Sequence, residues 1–192
     1  MTNHTQAHNH DLATGRAGAD IEEYIRNSLT FAHSFLPPEV SAAWELLDVG
    51  ADYGYAMHYA ETQLKCKRIY GIEPYLKTNP WNLPILQMPV EDPLLKQVGI
   101  GQVDLLFLNH TLEHFYNPSL ALSNLAHFRR RMTRLFIAVP HLECAWSRWE
   151  GHYSIWNEQW LEHFCSLHGW KPIELTTREF RPGCVEVWGV FV

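Results

Sequence analysis

A short apolar run that ends in an acid and a glycine turn constrains this chain more than any other stretch. Residues 46–55 read LLDVGADYGY, with glycines at positions 50 and 54. Apolar residues then recur at helical spacing over residues 56–64. Strand, glycine turn and helix together predict the first strand-to-helix corner of an open α/β sheet, where ligands bind at the carboxyl ends of the strands. Glycine suits this corner because the backbone turns sharply and a ligand must approach it closely.

The composition predicts one folded domain and disfavours two classes of partner. Of the 192 residues 46% are hydrophobic, with eight Trp and nine Phe, which favours a sizeable core. A net charge of −6 disfavours nonspecific binding to nucleic acid or to anionic membranes. The four cysteines have neither C-x-x-C nor metal-ligand spacing, and neither a signal-peptide core nor a membrane-spanning apolar run is evident. We therefore expect a cytoplasmic protein with reduced thiols.

The chain is expected to form a single domain over residues 20–192 after a disordered polar tail, residues 1–19. Asp20 is the predicted cap of a first helix. An insertion at about residues 141–156 is rich in aromatic side chains, namely Trp146, Trp149, Tyr153 and Trp156. These aromatic residues either bind a flat or apolar substrate or pack a cap onto the domain.

The segment Asp48-Val49-Gly50-Ala51-Asp52-Tyr53-Gly54 resembles the first motif of class I S-adenosylmethionine (SAM) dependent methyltransferases. The alternative is a tight turn in an ordinary α/β protein. The resemblance spans about residues 20–192, and it implies SAM as cofactor, S-adenosylhomocysteine (SAH) as product and a small-molecule acceptor. It implies that the loop cradles the methionine part of SAM, with Asp48, Gly50, Ala51, Asp52 and Gly54 as cofactor-binding residues.

An acid follows the second predicted strand, Arg68 to Ile72. Glu73 lies about twenty residues beyond the glycine turn, where two carboxylate oxygens can accept hydrogen bonds from a ribose diol. The resemblance assigns this role to Glu73, with Pro74 beside it. A helix-capping or surface glutamate is the alternative.

The segment after Glu73 departs from the family. Prolines at positions 74, 80 and 84 interrupt it, so we expect a loop where the family has a full helix. Ile85 to Val90 is the predicted third strand. The family's acid for the adenine amino group falls at Pro89 here, so that contact is either missing or moved to Glu91 or Asp92. The resemblance also implies a backbone N–H after the acid that reaches the ring, here at Val90.

The fourth predicted strand, Val103 to Leu108, runs into Asn109-His110-Thr111-Leu112-Glu113-His114. This stretch resembles the quinone-biosynthesis-like group of small-molecule methyltransferases, which places Asn109 and His110 beside the sulfonium. H-x-x-E-H is also a zinc peptidase pattern, so a metal-dependent hydrolase is a distant alternative, although that chemistry needs a long helix. The resemblance also offers Glu113 and His114 as weak candidates for a divalent ion. We expect no metal, and expect these two residues to hold the loop.

The remaining elements complete a seven-stranded, Rossmann-like α/β sheet that is mostly parallel with an antiparallel last strand. Helices are expected on both faces, with a reduced helix between strands two and three. The predicted elements are a helix over residues 118–131, a strand over 135–139, a helix over 157–169 and strands over 171–177 and 184–192.

An oxygen acceptor must lose its proton near neutral pH, and histidine suits that task. The candidates are His152, then His141, then His110. A methyltransferase acting on a small molecule is the favoured function. A catalytically silent SAM-binding or scaffold protein is the alternative, since the helix after Glu73 and the adenine acid are missing.

Overall fold

The computed structural model describes residues 16–181 and 183–192. Its helices are α1 (Arg16–His33), α2 (Pro38–Ser41), α3 (Tyr55–Thr62), α4 (Pro118–Leu125) and α5 (Glu158–Leu167). Its strands are β1 (Glu45–Val49), β2 (Arg68–Ile72), β3 (Ile85–Leu86), β4 (Val103–Asn109), β5 (Arg129–Pro140), β6 (Pro172–Arg181) and β7 (Cys184–Phe191). Helix α1 begins four residues before the predicted cap at Asp20, and residues 1–15 of the predicted tail lie outside the described residues.

The seven strands form one sheet in the order β3-β2-β1-β4-β5-β7-β6. Strands β1 to β5 are parallel, and β7 pairs antiparallel with both β5 and β6. The predicted Rossmann-like fold with an antiparallel last strand is therefore confirmed. The carboxyl ends of β1, β2 and β4 are neighbours in this order, which brings the candidate cofactor residues to one edge of the sheet.

Helices cover both faces of the sheet, and each face has its own hydrophobic core. Helices α1 and α3 pack on the face that carries Leu46, Phe107 and Trp188. Helices α4 and α5 pack on the opposite face, against Leu47 and Leu106. Strand β4 is apolar along most of its length because neighbouring positions serve both cores.

The segment between β2 and β3 has no helix, as its prolines predicted. Strand β3 is only two residues long, so the predicted strand over Ile85 to Val90 is too long. The predicted helix over residues 118–131 is also too long, since α4 ends at Leu125 and β5 begins at Arg129. Arg130 pairs with the buried Asp104 of the adjacent strand, so a charged pair explains why the arginine-rich segment is a strand.

None of the helices in residues 16–181 and 183–192 is long and apolar enough to cross a membrane.

Candidate active site

The glycine turn after β1 is locked to both neighbouring strands. Gly50 has φ 78° and donates its N–H to the carbonyl of Ile72 at the end of β2 (2.8 Å). A Cβ at Gly50 would collide with the side chain of Thr111, which follows β4. Thr111 in turn donates its hydroxyl to the carbonyl of Val49 (2.8 Å). The turn needs glycine here both for its positive φ and for this close approach.

Glu73 reaches across from the tip of β2 to the turn. Its Oε2 accepts the backbone N–H of Asp52 (3.2 Å), and its Oε1 accepts that of Tyr75 (2.9 Å). Glu73 is partly exposed, and an ionised carboxylate has about four lone-pair sites, so both oxygens can accept further hydrogen bonds. The structure thus brings the acid and the glycine turn together.

Asp48 is a buried carboxyl directly beneath the turn, with only 4% of its surface exposed. Burial raises its pKa to about 8, and the negative charges of Glu73 and Asp52 add to the shift. Asp48 is therefore mostly protonated at neutral pH, and the negative charges of Glu73 and Asp52 are the ones that favour a cationic ligand at this edge of the sheet.

The tip of β4 is joined to α1 through a tyrosine. The Tyr24 hydroxyl donates to Glu186 Oε2 of β7 (2.8 Å), and its oxygen lies 3.1 Å from Asn109 Oδ1. Burial and then the Glu186 charge raise the pKa of Tyr24, so this hydroxyl remains a neutral donor. His110 follows Asn109 with φ 52°, a conformation that costs energy outside glycine and that often marks functional sites.

His110 is an imidazolium between two buried carboxylates. Its Nε2 lies 2.8 Å from Glu186 Oε1, and its Nδ1 lies 3.4 Å from Glu113 Oε1. Burial alone would lower its pKa, but these two partners outweigh that effect and raise the pKa to about 10. At neutral pH His110 therefore has no lone pair with which to accept a proton. Of the three histidines proposed as base, it suits that role least.

The predicted adenine contacts Val90 and Glu91 also anchor α4. Val90 is buried, and its carbonyl accepts the side-chain amide of Asn124 (2.9 Å). Glu91 Oε1 accepts the backbone N–H of Asn117, the residue that caps α4 (3.1 Å). Val90 and Glu91 are therefore both held by residues of α4 and its cap.

The loop after β4 is bound to the insertion between β5 and α5. The carbonyl of Glu113 accepts the backbone N–H of Tyr153 (2.7 Å), and His114 Nδ1 lies 2.9 Å from the carbonyl of Gly151. The rings of His114 and His152 meet edge to face at 4.7 Å. Ligand atoms of Glu113, His114 and His152 all lie within 4.8 Å of one another, an arrangement that could hold a metal ion.

His141, the second histidine candidate, faces α5. Its Nε2 lies 3.6 Å from Glu158 Oε2, and its Nδ1 accepts the backbone N–H of Glu143 (3.2 Å). His152 therefore contacts the loop after β4, whereas the side-chain contacts of His141 are with Glu158 and Glu143.

The aromatic insertion combines packing with exposed surface. Trp156 is buried against Phe164 of α5, with ring centroids 5.1 Å apart. Tyr153 stacks on Tyr116 at 4.2 Å, and both rings are exposed. Trp149 is partly exposed too, whereas the side chain of Trp146 lies outside the described residues.

Sequence reasoning missed Tyr24 and Glu186 as site residues. Glu186 is 2% exposed and is the one acid in the otherwise apolar strand β7. An acid within the apolar run CVEVW was the sequence feature that could have marked it as a buried functional residue. Nothing in the sequence pairs it with His110, because that contact spans 76 positions of the chain.

Comparison with known proteins is consistent with this geometry. The profile of a family described as a methyltransferase domain matches residues 19–173. No curated protein matches the chain. Among solved structures, Burkholderia thailandensis 1,6-didemethyltoxoflavin-N1-methyltransferase with bound SAH is similar at 16% identity and a TM-score of 0.68, covering 93% of this chain and 82% of that one.

Two further structures are similar in fold. A SAM-dependent methyltransferase from Archaeoglobus fulgidus has 11% identity and a TM-score of 0.71, covering 88% of this chain and 93% of its own. The [4+2]-cyclase SpnF has 12% identity and a TM-score of 0.64, covering 86% and 80%. At these identities the likenesses establish the fold, and the reaction must be argued from the family and the site.

Proposed function

The chain belongs to the methyltransferase domain family, whose activity is methyl transfer from SAM, and from that premise we propose that its acceptor is a small molecule bound over the tip of β4. The observation that best supports this cofactor site is the hydrogen bond from the backbone N–H of Asp52 to the Glu73 carboxylate. It joins the ribose-binding acid and the glycine turn at one edge of the sheet, beside Asn109 and His110.

In this proposal the cofactor lies across the tips of β2, β1 and β4. Glu73 accepts from the ribose hydroxyls, Val90 and Glu91 border the adenine, and the turn from Gly50 to Gly54 holds the methionine part. The Asp48 carboxyl lies beneath the ammonium group, whose positive charge would favour its ionisation. Asn109 and His110 would border the sulfonium.

The chain's own contribution to the reaction is alignment and proton removal. Methyl transfer is an in-line displacement at a carbon that the sulfonium already activates, so orientation supplies most of the rate enhancement. His152 is the proposed base for an oxygen acceptor, because it lies near Glu113 and His114 in the loop after β4. The exposed Tyr116–Tyr153 pair gives a flat or apolar acceptor a surface on which to stack. The acceptor of the Burkholderia thailandensis enzyme, a didemethyltoxoflavin, supports a small molecule of this kind.

The experiment combines binding with turnover. Calorimetry with SAM and SAH on the wild type and on Glu73→Ala tests the cofactor site, with the exposed Glu61→Ala as matched control. Loss of the Glu73 carboxylate should weaken binding about tenfold or more, the value of a charge-assisted hydrogen-bond pair. A panel of phenols, thiols and carboxylic acids with methyl-labelled SAM then identifies the acceptor atom. Equal affinity of Glu73→Ala and wild type would remove Glu73 from the site.

A further inference from the structure

The polar cluster at the tip of β4 is built around a carboxylate with three donors. Glu186 is 2% exposed, and its Oε1 lies 2.8 Å from His110 Nε2. Its Oε2 accepts from the Tyr24 hydroxyl and from Trp188 Nε1, each at 2.8 Å. An ionised carboxylate, which only accepts, matches this set of donors. Glu186 is therefore fixed in place and carries a negative charge.

A second carboxylate in the cluster is only partly compensated. Glu113 is 1% exposed, and neither of its side-chain oxygens accepts a hydrogen bond from a described residue. Its nearest charged partner is His110, at 3.4 Å. One imidazolium thus lies between two carboxylates, which gives these three side chains a net charge of −1 in a poorly solvated place. His114 is the other histidine near Glu113, and it lies on the side of the insertion.

Arg178 does not remove this surplus. It lies opposite Glu186 in the β6–β7 register, and its guanidinium packs over the rings of Trp188 (4.6 Å) and Phe31 (4.4 Å). Arg178 is exposed, so water and salt screen its charge far more than they screen the buried carboxylates.

The cluster borders the place where the reactive sulfur is proposed to lie. Asn109 is the last residue of β4 and His110 follows it. The Thr111 hydroxyl then donates a hydrogen bond to the carbonyl of Val49, just before the glycine turn. A cofactor seated on the turn therefore has its methionine part next to residues 109 and 110. This step rests on the proposed function.

We propose that the surplus charge makes this site selective for the sulfonium of SAM over the neutral thioether of SAH, with Glu186 as a specificity-determining residue. In methyl transfer the bond from sulfur to the methyl carbon breaks, a bond from the acceptor to that carbon forms, and the acceptor proton passes to the proposed base, His152, or to water. Sulfur keeps the electron pair of the broken bond and becomes neutral. The attraction that holds SAM is then lost, so the product dissociates more readily than the substrate. An unpaired charge about 8 Å away at an effective dielectric constant of about 20 corresponds to a preference of about tenfold or more.

The test is a set of calorimetric titrations with SAM, SAH and sinefungin, an analogue that carries a protonated amine in place of the sulfonium methyl. SAM and sinefungin should bind the wild type about tenfold more tightly than SAH does. Glu186→Gln should bring the three affinities close together. The matched control is Asp104→Asn, which also removes a buried, paired carboxylate but lies at the other end of β4, about 17 Å from Asn109 along the strand. It should keep the wild-type ratio.

The outcomes separate the two proposals. The charge selectivity would be overturned if SAH bound the wild type as tightly as SAM does. It would also be overturned if Glu186→Gln left the ratio of the SAM and SAH affinities unchanged. In both cases the proposed cofactor site would stand. Failure of all three ligands to bind the folded wild type would overturn the proposed function and this inference with it. Where Glu186→Gln does not fold, Glu113→Gln provides the same test, because it also removes one negative charge from the cluster.

Discussion

His110 Nε2 lies 2.8 Å from Glu186 Oε1, and this contact ties the tip of β4 to β7 at the centre of the candidate site. The same imidazolium faces Glu113 on its other side. Because both carboxylates are buried, His110 is needed to offset their repulsion as well as to bind them.

Replacing His110 should therefore destabilise the domain strongly. His110→Gln leaves two buried carboxylates without a cation, and we expect it to lower the free energy of unfolding by about 3–5 kcal/mol. The double variant His110→Gln/Glu186→Gln should recover a good part of this loss, since one of the two charges is gone. Urea denaturation of the two single variants and the double variant measures the coupling. Additive effects would show that the ion pair contributes nothing to stability.

Gly50→Ala should disrupt the turn and cofactor binding together. Its Cβ would collide with Thr111, and the residue would have to keep a positive φ, so a loss of about 1–3 kcal/mol is expected. Gly99→Ala is the control, because a Cβ at Gly99 meets nothing within 4 Å. Thermal denaturation and SAM titration of both variants check this prediction. A Gly50→Ala variant with wild-type melting and affinity would mean that the turn tolerates a side chain.

Asp48 should make stability fall as pH rises. Its pKa is about 8 in the folded chain against an ordinary value of 3.8, so between these values the folded state holds a proton that the unfolded state has released. The contribution of Asp48 to the free energy of unfolding should therefore decrease from about pH 4 to pH 8 and then level off.

The variant Asp48→Asn isolates this contribution. It keeps the shape of the side chain and cannot titrate, so its advantage over the wild type should grow through the same pH range. Denaturation of the cofactor-free proteins at several pH values gives the comparison. Parallel curves for the two proteins would show that Asp48 titrates normally in the folded chain.

The sequence predicted the elements whose signals are local. The glycine turn, the strand ending before Glu73 and the helix capped by Asn157 each depend on residues close in the chain, and the structure has all three. The start of β5 was missed because the predicted helix extended to Arg131, and only the distant Asp104 explains why Arg130 lies in a strand.

The candidate site likewise has residues that local sequence spacing predicts and contacts that it does not predict. Glu73 was predictable because its distance from the glycine turn along the chain sets its place at the sheet edge. The contact of Tyr24 with Glu186 spans 162 positions, and no periodicity or motif encodes a pair so far apart. The proximity of His152 to Glu113 and His114 likewise depends on how the insertion folds back onto the loop after β4.

Methyl transfer should not depend on a metal ion. Glu113 already faces His110, and its backbone and the His114 ring hold the insertion, so these residues have a structural role without an ion. We expect dialysis against EDTA to leave the rate of methyl transfer unchanged. Loss of activity that Zn²⁺ restores in the wild type, but not in His114→Ala, would instead identify Glu113, His114 and His152 as metal ligands.

The central claim is that the glycine turn and Glu73 hold one adenosyl ligand between them. A crystal structure of the protein grown with SAH tests it most directly. We predict that the ribose hydroxyls contact the Glu73 carboxylate and that the sulfur lies next to Asn109 and His110. SAH bound away from the tips of β1 and β2, for example in the groove between α1 and α3 that Tyr55, His58 and Trp81 line, would contradict the account.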